Sequence, residues 1–316
     1  VKIFAPSRRW SVAARGELRL IADLRRWLGD TCPKAPFGIG DDCAVLPPSR
    51  RAQLVTTDPV IYGRHFDAAV PPRAAGAKLL KRNLSDIAAM GGRPVATVVS
   101  LALAPETSVA WLRQFYLGLA ACARRYRVRV VGGDVTEAPA GFFGAFLTLH
   151  GEAVGPRVVT RHGAKPGDHI MVTGRLGGSR AGHHFKFRPR LAEGAWLARQ
   201  KEVVAMMDLS DGLAKDLKAL TPPGLVASIP PAALPISSAA RAVARRSRRP
   251  AWVHALVDGE DYELLFVLRA SLDPTKFVQR WSGKFATPLR AIGHFAREVA
   301  PGHVRWESLH GYEHLR

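Results

Sequence analysis

The sequence predicts an α+β chain of two domains, and three observations carry that prediction. Apolar residues recur in turn at helical and at strand period. Several strand runs follow one another as hairpin-like pairs, which fits α+β packing better than one doubly wound sheet. A Pro-Gly turn in AKPGDHIMVTG, residues 164–174, then restarts the succession of strand, glycine loop and helix. With 316 residues the chain is long enough for two cores. The first domain is placed at 1–154 and the second at 155–316, with residues 161–165 read as the junction.

Each element has its own signal. Residues 1–16 are basic and contain no acid, and they read as a loose extension. ELRLIADLRRWL (17–28) spaces Leu18, Ile21, Leu24, Trp27 and Leu28 at helical period. AQLVTTD (52–58) reads as a strand ending in a polar tip. RAAGAKLLKRNLSDIAAMG (73–91) reads as a helix stopped at Gly91. VATVVSLAL (95–103) is a strand, and SVAWLRQFYLGLAACARRY (108–126) an amphipathic helix. RVRVVGGD (127–134) is a strand running into a glycine turn, and GFFGAFLTLHGEAV (141–154) a further strand. In the second half, ELLFVL (263–268) is the clearest strand after 164–174.

Composition narrows the function classes. VATVVSLALA, the longest apolar candidate, is about half the ~20 residues that a membrane helix needs. Lys and Arg number 46 against 26 Asp and Glu, a net charge of +20. Only RAVARRSRRP (241–250) concentrates that charge, with five arginines, and no nucleic-acid module surrounds it. A solvated helix face explains it, and anionic small substrates explain the overall charge more simply than nucleic acid does. Cys32, Cys43 and Cys122 are odd in number and lack CxxC spacing, which points to a reducing, cytoplasmic setting and away from structural zinc.

The chain contains no P-loop, dinucleotide fingerprint, HExxH, GxSxG or kinase HRD and DFG. Aspartate recurs instead beside small or hydroxyl residues. It does so in GDD (Asp41, Asp42), TTD (Thr56, Thr57, Asp58), NLSD (Asp86), GGD (Asp134) and DLSDG (Asp208, Asp211). Singly, each has a local explanation: Asp86 and Asp211 as helix caps beside Ser85 and Ser210, Asp134 as turn chemistry. Together, in a chain this rich in arginine, few of them have a basic neighbour. Carboxylates and hydroxyls converging from loop tips are hard oxygen donors, which fits Mg²⁺ with phosphates.

GIGDDCAVL, TTDPVIYGRHF, NLSDIAAMGGRP, VVGGD, RHGAKPGD, DLSDGLAKDL and GEDYELLF, in this order, resemble the thiamine-monophosphate kinase family of the aminoimidazole ribonucleotide synthetase-like superfamily. The resemblance runs from about residue 16 onward. It implies an N-terminal α/β domain that contributes strands to a dimeric barrel, and a C-terminal α+β domain. It implies transfer of the γ-phosphoryl group of ATP to thiamine monophosphate, with several Mg²⁺ ions and a homodimer. It implies metal ligation by Asp41, Thr56, Thr57, Asp58, Asp86, Asp134, Asp208 and Asp211, with Asp42 bracing its loop. It implies ATP contacts from Tyr116, Gly133, Asp134, Arg161 and Ser210, and substrate contacts from His65, Glu260 and Tyr312. Outside the resemblance, His65 reads equally as a polar strand end, Glu260 as a turn carboxylate and Tyr312 as an aromatic anchor for the tail. Another ATP-using enzyme of the superfamily, of the aminoimidazole ribonucleotide synthetase or selenide water dikinase type, is the alternative. Three features depart from the common family form: Val135 after GGD, Asp258 where GGEDYEL has glycine, and the segment 176–197.

Overall fold

The computed structural model of the chain describes residues 1–40, 43–155, 157–304, 306, 309, 311 and 312. Asp41 and Asp42 lie outside the described residues. The chain divides into two compact units, Val1–Ile87 with Arg93–Glu152, and Ala88–Gly92 with Ala153–Arg316.

The first unit opens with α1 (Val12–Arg15) and α2 (Glu17–Leu28). Residues 1–16, expected to be loose, are tied down. The Ala5 N–H donates to the Glu106 carbonyl at 2.8 Å and the Val12 N–H to the Thr107 carbonyl at 2.9 Å. Ile3 and Val12 are buried. Charge composition suggested looseness, but backbone pairing to a distant segment is not written in composition.

Four strands follow with two long helices: β1 (Gln53–Ile61), α3 (Pro72–Ala89), β2 (Gly92–Leu103), α4 (Val109–Tyr126), β3 (Arg129–Glu137) and β4 (Phe143–Ala153). The sheet order is β1-β4-β2-β3. β1 and β4 are antiparallel, with Asp58 opposite Leu147. β2 and β3 are parallel, so a crossover must join them, and α4 supplies it. Ser108 caps α4 by accepting the Trp111 N–H. α3 and α4 approach at two glycines. A Cβ on Gly76 would strike the Phe115 carbonyl, and one on Gly118 the Arg73 carbonyl. Leu79, Leu80 and Leu84 of α3 and Leu112, Phe115 and Leu119 of α4 are fully buried.

Two boundaries differ from expectation, and both matter for the site. β1 does not end at Asp58 but runs on to Ile61, which leaves Thr56, Thr57 and Asp58 in mid-strand. Gly132 and Gly133 do not form a turn; they lie within β3. The glycine at 133 answers a close approach: a Cβ there would collide with the Val99 carbonyl of the neighbouring strand.

The second unit contains β5 (His169–Thr173), α5 (His183–Lys186), α6 (Leu191–Leu197), β6 (Val203–Asp208), α7 (Leu213–Leu220) and β7 (Val226–Ser228). α8 (Ser238–Ser247), α9 (Ala251–Val257), β8 (Leu264–Leu268), α10 (Pro274–Ser282) and β9 (Leu289–Ala296) complete it. The sheet order is β6-β8-β5-β9-β7. Both faces of this sheet are covered. Leu265 and Val267 of β8 share a core with Ile170, Val172, Leu213 and Leu217. Leu264, Phe266 and Leu268 share the other with Met171, Phe277 and Trp281. Because a strand turns alternate residues to opposite faces, a run apolar at every position marks burial on both. No described helix is long and apolar enough to cross a membrane. The basic stretch 241–250 forms the mostly exposed end of α8 and the turn after it, as expected.

Candidate active site

In the first unit, strand alternation turns Thr56 and Asp58 toward α3 and Thr57 to the opposite face. The Thr56 hydroxyl donates to the Asp86 carboxylate at 2.6 Å. Asp58 pairs with Arg82 at 3.1 Å, and Arg82 also donates to the Pro59 carbonyl. Asn83 Nδ2 donates to the Leu79 carbonyl at 2.9 Å, and lies 3.4 Å from the Asp58 carbonyl. Asp86 is therefore not a helix cap; it sits inside α3, one turn beyond Arg82. Thr57 instead donates to the Leu147 carbonyl at 3.1 Å. The structure thus brings Thr56, Asp58 and Asp86 together and separates Thr57 from them. The local sequence of TTD contains no basic residue, yet the fold supplies Arg82 from 24 positions away. Asp134 is exposed on β3, in register with Ser100 of β2.

A cavity of about 450 Å³ opens beside this cluster's sheet, lined by Tyr116, Val99, Gly132, Gly133, Asp134 and Val135. Leu24 and Leu28 of α2, with Ile39 and Gly40 of the GIGDD loop, close it. The three predicted ATP contacts of this unit, Tyr116, Gly133 and Asp134, all line it. Tyr116 is buried, and burial raises its phenol above the ordinary value, so the ring presents a neutral apolar wall. Val135 lines the cavity too. The hydroxyl missing there is replaced by an apolar surface that suits a flat ring. His65, read as a substrate contact, accepts the Ile61 N–H at Nδ1 (3.0 Å), and its carbonyl accepts from Lys78.

In the second unit the acids crowd. β6 ends at Asp208, which is buried. Asp211 pairs with Lys215 at 2.6 Å, a helical neighbour. Asp211 does not cap α7 with its side chain; its N–H donates to Asp216 at 3.0 Å. Burial, with Asp208 and Asp211 nearby, pushes the Asp216 carboxyl up to about 8. The Ser210 carbonyl accepts the Glu260 N–H at 2.7 Å, and the Leu209 carbonyl accepts the Tyr262 N–H at 2.8 Å. These bonds lock the DLSDG loop to the DGEDYE loop.

That second loop is strained. Glu260 and Tyr262 both adopt the left-handed conformation, at φ 55° and 51°. Each such non-glycine residue costs on the order of 1 kcal/mol and persists only where its surroundings hold it. Asp261 holds it from below, accepting the Gly177 N–H at 2.8 Å. Its other oxygen is buried without a hydrogen-bond partner, and burial raises its pKa well above the ordinary carboxylate range. Tyr262 stacks on Phe187 at 3.9 Å. Glu263 is clamped at both oxygens by Arg190, at 2.7 and 2.5 Å. Tyr312 lies against Asp211, its N–H donating to the Asp211 carbonyl at 2.9 Å and its own carbonyl accepting from Lys215. Arg161 is exposed in the loop preceding β5.

Sequence reasoning missed Asp216, Asp261, Glu263, Arg190 and Arg82. The acids were visible as further carboxylates inside motifs already singled out. The arginines carried no local signal, because their partners are remote in sequence. Among the described residues, no three His, Cys, Asp or Glu side chains converge closely enough to hold a metal ion. The predicted ligands are spread over both units, and Asp41 lies outside the described residues.

Residues 40–155 match the family of AIR synthase related proteins, N-terminal domain. A thiamine-monophosphate kinase of Salmonella typhimurium is 33% identical over 96% of this chain and 99% of the relative. Among solved structures, thiamine-monophosphate kinase from Stenotrophomonas maltophilia K279a is similar with a TM-score of 0.71 and 29% identity, over 89% of this chain and 93% of that one. A second, AaThiL complexed with AMPPCP and TMP, has a TM-score of 0.69 and 28% identity, over 91% and 93%.

Proposed function

We propose that this chain, which belongs to the thiamine-monophosphate kinase family, transfers the γ-phosphoryl group of ATP to thiamine monophosphate, giving thiamine diphosphate and ADP. The observation that carries the reading is the match to relatives of this activity along nearly the whole chain. The site chemistry supports it. The acceptor is a phosphate oxygen already ionised near neutral pH, so no strong general base is required. The demands are charge neutralisation and in-line positioning.

The chemistry of the donors suits Mg²⁺: Thr56, Asp58, Asp86 and Asp134 of the first unit, and separately Asp208 and Asp211 of the second, are hard oxygen donors. Thr57, on the other strand face, would take part only through its backbone, and Asp41 joins the set by family assignment. When bound, the ions supply neutralisation of phosphate charge. Two ligands have protein cations beside them, Arg82 at Asp58 and Lys215 at Asp211, and metal must compete with both.

The chain's own residues do the rest. The cavity beside Tyr116 receives the nucleobase between apolar walls, and the glycine pair of β3 allows close approach of the nucleotide. By family assignment Arg161 and Ser210 contact ATP, and His65, Glu260 and Tyr312 contact thiamine monophosphate; the His65 ring is oriented by the Ile61 N–H. A homodimer in the cytoplasm completes the reading. Val55 and Phe146, exposed on the sheet face turned away from α3, support a covered sheet.

The test is a substrate panel with ATP and Mg²⁺, read by chromatography for thiamine diphosphate and ADP. Product formed from thiamine monophosphate alone, and lost with EDTA, is the expected result. ADP release with selenide or formylglycinamidine ribonucleotide instead would move the activity to a sibling enzyme of the superfamily.

A further inference from the structure

We propose that Asp258 is a positioning residue for the loop that carries Glu260, and that His254 and Ser247 orient its carboxylate. The inference rests on reading Glu260 as a substrate contact. Asp258 closes α9. One of its oxygens accepts the Gly178 N–H at 2.7 Å. The other meets His254 Nδ1 at 3.0 Å. His254 is buried, and its Nε2 meets the Ser247 hydroxyl at 2.7 Å. Ser247 in turn accepts the Arg249 N–H. With the hydroxyl donating to Nε2, the imidazole carries its proton on Nδ1 and donates it to Asp258, so the chain of bonds has one direction.

The position of this hub gives it a role. Glu260 lies two residues on, in a left-handed conformation that its own propensity disfavours. Gly177 and Gly178 present successive N–H groups, one to Asp261 and one to Asp258. The two carboxylates therefore pin the same glycine loop from either side of Glu260. Asp261 is almost wholly buried, and its anchor belongs to the core. Asp258 is more open, with a side chain 21% exposed, and a separate polar chain orients it. Between Asp258 and Glu260, a Cβ on Gly259 would press on the Ser210 carbonyl and the Asp211 backbone, so the two loops run close together there. Ser247, His254 and Asp258 occur in the order that activates a serine in hydrolases. Here the acid spends its second oxygen on a backbone amide, and the arrangement works as a brace. A glycine at 258, the common form in this motif, offers no carboxylate.

The test joins two readouts on the full chain. Hydrogen–deuterium exchange over residues 175–179 and 259–263 reports the anchor whether or not the enzyme turns over. KM values for thiamine monophosphate and for ATP report its use. In Asp258→Ala, exchange over 175–179 is expected to rise about tenfold. KM for thiamine monophosphate is expected to rise about tenfold, and KM for ATP less than about twofold. Asp258→Asn retains an acceptor for Gly178 and should recover most of both effects. Ser247→Ala, which leaves the carboxylate in place, should give a smaller rise in exchange, about threefold. Unchanged exchange over 175–179 in Asp258→Ala overturns the anchor. Equal rises in both KM values overturn the specific link to Glu260. Should the alanine variant fail to fold, Asp258→Asn and Ser247→Ala decide by the same exchange measurement. A wild-type chain inert toward thiamine monophosphate would sink the substrate reading, while exchange would still judge the brace.

Discussion

Within the candidate site, the acids singled out in the two units have different surroundings. In the first, Asp58 and Asp86 stay half-open and take partners from α3 and β1: Arg82 for one, the Thr56 hydroxyl for the other. In the second, Asp216, Asp261 and Glu263 are 5%, 1% and 2% exposed, matched by the Asp211 and Gly177 amides and by Arg190. A half-open carboxylate is reached by solvent and can exchange one cation for another. A buried one must be protonated or fully bonded, because the desolvated charge is costly. Asp211, with a side chain 28% exposed and held by Lys215, belongs with the open kind although it sits in the second unit. The difference separates Asp58, Asp86 and Asp211, open to exchange of cations, from Asp216, Asp261 and Glu263, which brace loops.

That separation can be broken at several points. The largest effect is expected at an open acid. Asp86→Asn keeps the size of the side chain and its bond from Thr56 but removes the charge. Thiamine diphosphate formation should fall about 10³-fold, with circular dichroism and melting temperature unchanged. Near-normal turnover would end the metal assignment. Arg190→Met tests a buried acid by stranding Glu263. It should cost about 3 kcal/mol in urea denaturation. The same substitution at exposed Arg124, paired with Asp30, should cost less than about 1 kcal/mol.

Asp216 gives the comparison a pH axis. Its folded pKa of about 8 lies above the ordinary 3.8, so folding favours the protonated form. That stability is fully present below about pH 4 and is lost as pH rises toward 8. In EDTA, the melting temperature should therefore fall between pH 5 and about pH 8, and Asp216→Asn should flatten the fall. A slope unchanged by that substitution would show that another group carries it. The smallest effect is expected at Lys215→Ala. Stability should change by less than about 1 kcal/mol. The Mg²⁺ concentration for half-maximal activity should drop about threefold, because one competitor for Asp211 is gone. A rise instead would mean that the lysine assists the site.

Periodicity made the elements legible. The 17–28 and 108–126 helices and the 263–268 strand were plain in the sequence because each has a face, or two faces, to bury. The aspartate inventory was legible as a list of donors. Its layout was not. Asp58 and Asp134 lie in mid-strand and Asp86 inside a helix, since a short polar stretch does not end an element that tertiary pairing continues. The partners were illegible for a simpler reason: Arg82, Arg190 and Gly178 stand 24, 73 and 80 positions from the acids they meet.

By itself, then, the sequence determined which residue types were available and at what period. It set the apolar faces that must be buried, the hard-oxygen donors, and the ordered motifs that mark the family. Tertiary structure alone decided which acids are buried and which meet a cation. Burial, like-charge crowding and the reach of an arginine or an amide are properties of spatial neighbourhood. The aspartates at 58, 216 and 261 share one chemistry, yet the fold gives the first an arginine partner and raises the pKa of the other two by burial.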